Sequence, residues 1–254
     1  MKYEINQGNV LIVGASQGIG LGFVRKLLQD GRSAKIYATY RCQVSADELL
    51  TLKSEYPEKI CCLEVDVTDE GQISQAAACI GEEVGKLHLV VNCAGILHEG
   101  NIQPEKSLKH INPEHLLRYF QVNSVSSLLL AKHLLPLFRH GEKSILAAIS
   151  AKVGSIGDNQ LGGWYGYRAS KAALNMFMRN VAIEYRRTSP RTIVIMLHPG
   201  TTDTRLSQPF QKNVSAEKLF SVERTVTQLL EVIGNLDEGD SGQFFSWDGS
   251  HLPW

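Results

Sequence analysis

The stretch NVLIVGASQGIG, residues 9–20, decides the fold. Its first six residues are short, apolar and β-branched and end in glycine, the composition of a strand buried on both faces. Past the glycines, Ile19, Phe23, Leu27 and Leu28 recur at helical spacing as far as Gln29. Strand, turn and helix therefore follow one another without a break. Gly14, Gly18 and Gly20 permit a tight turn and let main-chain N–H groups approach a pyrophosphate, which then rests on the positive end of the helix dipole. In a chain with 22 glycines that spacing is weak by itself. Placed between a buried strand and a helix, it points to dinucleotide binding.

The alternation repeats outward from this unit. KIYATY (35–40), KICCLEV (59–65), LHLVVN (87–92), SILAAIS (144–150) and TIVIML (192–197) read as strands. Helical patterns fall over ADELLTLKSEY (46–56), EGQISQAAACIGEEVG (70–85), a long region from about 113 to 138, and the stretch after Gly166. Strands alternating with helices imply βαβ units and a parallel sheet covered on both faces. No linker, repeat or low-complexity tract interrupts the series, so residues 1–254 are expected to form one doubly wound α/β domain. Ligands in such sheets bind beyond the carboxyl ends of the strands, where strand order reverses.

Hydrophobic residues make up 43% and charged residues 20% of the chain, ordinary globular values that exclude a disordered or fibrous protein. The 26 basic and 26 acidic side chains cancel, with no run of like charge, so nucleic acid is not an expected partner. Five cysteines form no CxxC pair, and Cys62 and Cys93 sit in apolar runs where a thiol behaves as a small core residue, as in a reducing compartment. MKYEINQGN carries no apolar leader, and SSLLLAKHLLPLF (126–138) is too short to span a bilayer. A cytoplasmic protein with no membrane partner is expected. His110 and His115 match no metal spacing, so no catalytic metal is expected either.

The second strand ends ATYRC, with Arg41 and no acid at the turn. A carboxylate there would favour the free ribose of NAD(H), whereas a guanidinium can grip the 2′-phosphate of NADP(H), with Ser16 offering a further hydroxyl. NADP(H) is favoured over NAD(H); the alternative for Arg41 is a solvated loop charge. Of eight tyrosines only Tyr167 has a lysine, Lys171, four residues later. On a helix the two share one face. A neighbouring ammonium favours phenolate, so Lys171 is expected to lower the Tyr167 pKa toward working pH and fit the phenol for proton transfer. Trp164 and Tyr165 are taken as packing or wall residues, and His198, before Pro199, as structural.

At this point the chain resembles the classical short-chain dehydrogenases/reductases over essentially its whole length. GASQGIG stands for their TGxxxGxG, NCAG (92–95) for NNAG, and HPGTTDT (198–204) for PGxxxT, joined by DVTD (66–69), QVN ending at Asn123, and the YxxxK pair. GSIGDN, GGWYGYR and the closing FFSWDGSHLPW look most like the branch with the C-factor signalling proteins and Sniffer-type carbonyl reductases.

The resemblance implies a Rossmann-type domain with a mostly seven-stranded parallel sheet and helices on both faces. It also implies an oxidoreductase acting on a small carbonyl or alcohol, and a homodimer or homotetramer. Tyr167 would be the general acid/base, and Lys171 would hold the nicotinamide ribose. Asn123 would keep a water in a proton relay; read alone, it would satisfy local backbone. Asp66 and Val67 would face the adenine, though Asp66 alone reads as a turn residue or helix cap. Ile19, Asn92, Ala94, Gly95, Pro199, Gly200 and Thr204 would complete the cofactor cleft. The family's catalytic serine is the second of a Ser-Ser pair, where ISAKVGS has Ala151; Ser150 or Ser155 would have to replace it. The contrasting expectation is a cofactor-binding signalling or sensor protein with little turnover.

Overall fold

Alternate residues of Asn9–Val13 face opposite sides of a sheet, and all five are buried. Val10 and Ile12 pack into one apolar cluster, Leu11 and Val13 into another. The computed structural model describes residues 8–254. Its first half runs β1 (Asn9–Val13), α1 (Gly18–Asp30), β2 (Lys35–Tyr40), α2 (Asp47–Glu55), β3 (Ile60–Glu64), α3 (Glu70–Val84), β4 (Leu89–Asn92), α4 (Pro113–Phe120) and α5 (Ser126–Phe138). The second half runs β5 (Ser144–Ile149), α6 (Tyr165–Thr188), β6 (Thr192–His198), β7 (Thr201–Thr202), β8 (Leu219–Phe220), α7 (Val222–Asn235) and β9 (Phe244–Ser246).

Seven strands form one parallel sheet in the order β3-β2-β1-β4-β5-β6-β9. Helices α3, α4, α5 and α6 cover one face, and α1, α2 and α7 the other. This is a Rossmann-type fold whose strand order reverses between β1 and β4. Each fully buried Leu, Ile or Phe contributes about 1.5–3 kcal/mol relative to exposure, so the layers are held by apolar contact on both faces rather than by helix propensity.

Three features of the framework were not visible in the sequence. The long helical region divides into α4 and α5 around a π-helical turn, Gln121–Val125, which buries Asn123. Helix α7, capped by Ser221, and the short strand β9 complete the sheet's far edge. No described helix is long and apolar enough to cross a membrane.

Candidate active site

The carboxyl ends of β1, β2, β4, β5 and β6 open into one cleft of about 610 Å³. On its near wall, Gly14 and Gly18 have φ of +74° and +55°, in the left-handed region that favours glycine. Gly20 is required for a different reason: a Cβ there would lie 2.2 Å from the Gly14 carbonyl oxygen. The turn is pinned to β2, since Gly14 N donates to Thr39 Oγ1 at 3.0 Å and Ala15 N to Thr39 O at 2.7 Å. Gln17 does not cap α1 with its side chain, and no acid stands in the first turn. The helix therefore presents uncapped N–H groups to the cleft, which fits a dinucleotide pyrophosphate. Ser16, Ile19, Ala94, Gly95, Pro199, Gly200 and Thr204 line the same space.

Arg41, at the end of β2, lines the cleft, but not as a lone cation. Its Nη1 donates to Glu99 Oε1 at 2.6 Å, while Arg118 Nε donates to Glu99 Oε2 at 2.9 Å. Val67 lines the cleft, and Asp66 does not. Asp66 Oδ1 accepts from Thr68 N and Thr68 Oγ1 at 2.9 and 2.7 Å, so its carboxylate shapes the turn after β3. Asn92 likewise stays out of the cleft. Its amide donates to Ser127 Oγ at 2.8 Å and accepts from Ala94 N at 3.0 Å, which bends the chain leaving β4.

Tyr167 and Lys171 share the cleft-facing side of α6 and are both buried. Lys171 Nζ donates to Ile149 O at 2.9 Å and lies 5.9 Å from the centre of the Tyr167 ring. The expected depression of the phenol pKa is not what the chain by itself imposes. Burial pushes Tyr167 above its ordinary value of 10.0, and burial pushes Lys171 down from 10.5 to about 8, opposed by the Cys93 thiol. Loss of solvent outweighs the attraction of an ammonium that is aimed at a carbonyl.

Asn123 is buried, and its side chain is occupied: Oδ1 accepts from Ile96 N at 2.7 Å, and Nδ2 donates to Ile96 O at 2.9 Å and Ser170 Oγ at 3.0 Å. The amide thus fastens the segment after β4 to α6.

A roof crosses the cleft. Tyr119 Oη donates to Leu97 O at 2.6 Å, and His98 Nε2 donates to Arg205 O at 3.2 Å. Phe210 packs edge-on against Trp164, with ring centres 5.1 Å apart, and Trp164 against Tyr167 at 6.2 Å. Trp164 itself has φ of +50°, an unfavourable value for a bulky side chain. Glu105 holds it there: Glu105 O accepts from Trp164 N at 2.6 Å and Glu105 Oε2 from Gly166 N at 3.0 Å. This aromatic wall forms only when the fold brings Trp164 between Tyr167 and Phe210.

The family model for short chain dehydrogenase matches residues 8–215. The chain is a short-chain dehydrogenase. It is 32% identical to an NADPH-bound carbonyl reductase from chicken fatty liver, covering 98% of this chain and all of that one, with a TM-score of 0.87. The carbonyl reductase Sniffer of Drosophila melanogaster is 27% identical over 98% of this chain and 100% of its own, with a TM-score of 0.86. C-signal of Myxococcus xanthus is 30% identical over 148 residues, 58% of this chain and 84% of that protein.

As a short-chain dehydrogenase, this chain departs from the family pattern at Ala151, which lines the cleft. Of the neighbouring serines, Ser150 also lines the cleft. Ser150 is buried, and its hydroxyl donates to Asn175 Oδ1 at 2.7 Å, one helical turn below Lys171. Ser155 lies outside the cleft lining and accepts from Asp158 N at 3.2 Å. His198, read from sequence as structural, also lines the cleft. Its Nδ1 accepts from Lys152 N at 3.2 Å, and burial lowers its pKa from 6.5 to about 4, so the ring is neutral and carries its proton on Nε2. A histidine grouping, His88 and His140 with Glu142, lies at the opposite end of β4. Hydrogen bonds occupy its ring nitrogens, with Asn9 N, Glu142 and Leu87 O among the partners.

Proposed function

We propose that this short-chain dehydrogenase is an NADP(H)-dependent carbonyl reductase in which Tyr167 is the general acid. The observation that carries the reading is that Tyr167 and Lys171 face the same cleft as the Gly14–Gly20 turn, from the opposite wall. When bound, the reduced nicotinamide supplies the hydride. The chain's residues do the rest. The Gly14–Gly20 turn and the start of α1 hold the pyrophosphate, and Arg41 and Ser16 meet the 2′-phosphate. Lys171 holds the ribose and stabilises negative charge as it forms on the phenol oxygen. The raised pKa of Tyr167 keeps the phenol protonated near neutral pH, the state needed to donate a proton to the carbonyl oxygen. That favours reduction over oxidation.

Trp164, Phe210, Leu206 and Val153 give the substrate end an apolar, partly aromatic wall, suited to an uncharged carbonyl compound with a flat or hydrophobic body. Tyr167→Phe is expected to bind NADPH with unchanged affinity and to lose NADPH oxidation on every aldehyde, ketone or quinone tried. Full activity in that variant overturns the assignment.

A second reading has its own support. Ala151 has no hydroxyl and Ser150 is spent on Asn175, which suits a cofactor-binding signalling protein of low turnover, in line with the similarity to C-signal. NADPH binding without turnover of any carbonyl in the wild-type chain would favour it.

A further inference from the structure

We propose that Glu99 tunes the cofactor preference of this protein by competing with a ribose 2′-phosphate for Arg41. The proposal rests on the NADP(H) reading above. Arg41 and Glu99 both line the cleft, and their contact of 2.6 Å is a short, charge-assisted hydrogen bond. The Arg41 side chain is 54% exposed, so the guanidinium is within reach of an incoming anion.

Three arrangements suit Glu99 to such an exchange. Its main chain is fixed, since Glu99 N donates to Ile102 O at 3.1 Å and Ile102 N to Glu99 O at 2.8 Å. Only its side chain needs to move. Its second oxygen is held by Arg118, whose side chain is 25% exposed, against 54% for Arg41. When Arg41 turns to a phosphate, the carboxylate keeps a cationic partner and is not left unpaired. A dianionic phosphate also offers Arg41 more charge and more acceptor oxygens than one carboxylate oxygen does. A dinucleotide without that phosphate gives Arg41 no reason to leave Glu99. The pair therefore works against NADP(H) specifically, and Arg118 limits how strongly.

The test uses the full chain and ligands that carry no nicotinamide. Binding of 2′,5′-ADP and of 5′-ADP is measured by calorimetry for wild type, Glu99→Gln, Arg41→Ala and the double variant. The wild type is expected to prefer 2′,5′-ADP. Glu99→Gln should widen that preference by about two- to fivefold, the range expected for release of a half-exposed ion pair. In the Arg41→Ala background the same substitution should widen nothing. An unchanged or narrowed preference in Glu99→Gln overturns the proposal. So does an equal widening without Arg41, which would make Glu99 a contributor to the general field only. A wild type that shows no preference for 2′,5′-ADP overturns the NADP(H) reading and this proposal together, whereas a preference insensitive to Glu99 overturns this proposal alone.

Discussion

Lys171 stands 5.9 Å from the centre of the Tyr167 ring, its ammonium given to the carbonyl oxygen of Ile149. The pair shares a helix face, but each member is perturbed mainly by burial, in opposite senses.

For Lys171, burial lowers the folded-state pKa from 10.5 to about 8. Between those values the unfolded chain binds more protons, so stability rises with pH across the window, and the cost of burying the charge is present in full below it. Lys171→Met is therefore expected to stabilise the protein at neutral pH by about 1–3 kcal/mol, less whatever the orphaned Ile149 carbonyl costs. The gain should vanish as pH rises past the unfolded value. Urea unfolding at neutral and alkaline pH measures this, and a variant less stable than wild type at neutral pH would refute it.

For Tyr167, the phenol is held above its ordinary value by burial. Reduction, which uses the protonated phenol, should be nearly flat in kcat from about pH 6 to 8, while alcohol oxidation, which needs the phenolate, should keep climbing with pH. An oxidation profile already level near neutrality would mean that the bound cofactor and Lys171 together reverse the effect of burial.

Ala151 lines the cleft without a hydrogen-bond donor in its side chain. Restoring the hydroxyl with Ala151→Ser is expected to raise kcat for carbonyl reduction at least about tenfold, since one such donor is worth about 10²–10³ in other sites. Steady-state NADPH oxidation reads the effect directly. No gain would mean that another group, such as the neutral His198, already occupies the donor role.

Glu105 is buried and brackets the left-handed Trp164 through two hydrogen bonds. Glu105→Ala leaves the Gly166 N–H without its carboxylate and is expected to cost about 1–3 kcal/mol in chemical denaturation. Glu105→Gln keeps an acceptor and should cost less. Loss of the bracket should also loosen the aromatic wall, seen as a rise in KM larger than the fall in kcat. Equal stability of all three proteins would remove the capping role.

The sheet was legible because its strands are continuous apolar runs and its helices keep a regular period, so βαβ alternation could be read from Asn9 onward. The strand β9 escaped because three residues, Phe244–Ser246, carry too little pattern to separate from a turn. Within the site, Gly14, Gly18, Gly20, Tyr167 and Lys171 were visible as spacing, and the structure brings them to one cleft. Asp66, Asn92 and Asn123 entered by resemblance alone, as residues that face the adenine, shape the cleft and keep a relay water, and their side chains bond Thr68, Ser127 and Ala94, and Ile96 and Ser170. Trp164 was read as a packing or wall residue and does line the cleft, whereas Glu99, Glu105 and Phe210 had no signal at all, because each acts across a distance in sequence that only the folded chain closes.

The bar formed by Leu97 and His98 is joined to Tyr119 and Arg205 through single hydrogen bonds, whereas the floor beneath it is made of strand ends locked into the sheet. Leu97 is buried in the core, whereas half-buried His98 packs on Phe210 and donates to Arg205 O, so exchanging His98 disturbs less of what lies beneath than exchanging Leu97 does. A lineage carrying this protein could thus change which molecules it accepts by small steps above, while inheriting the ground below unaltered.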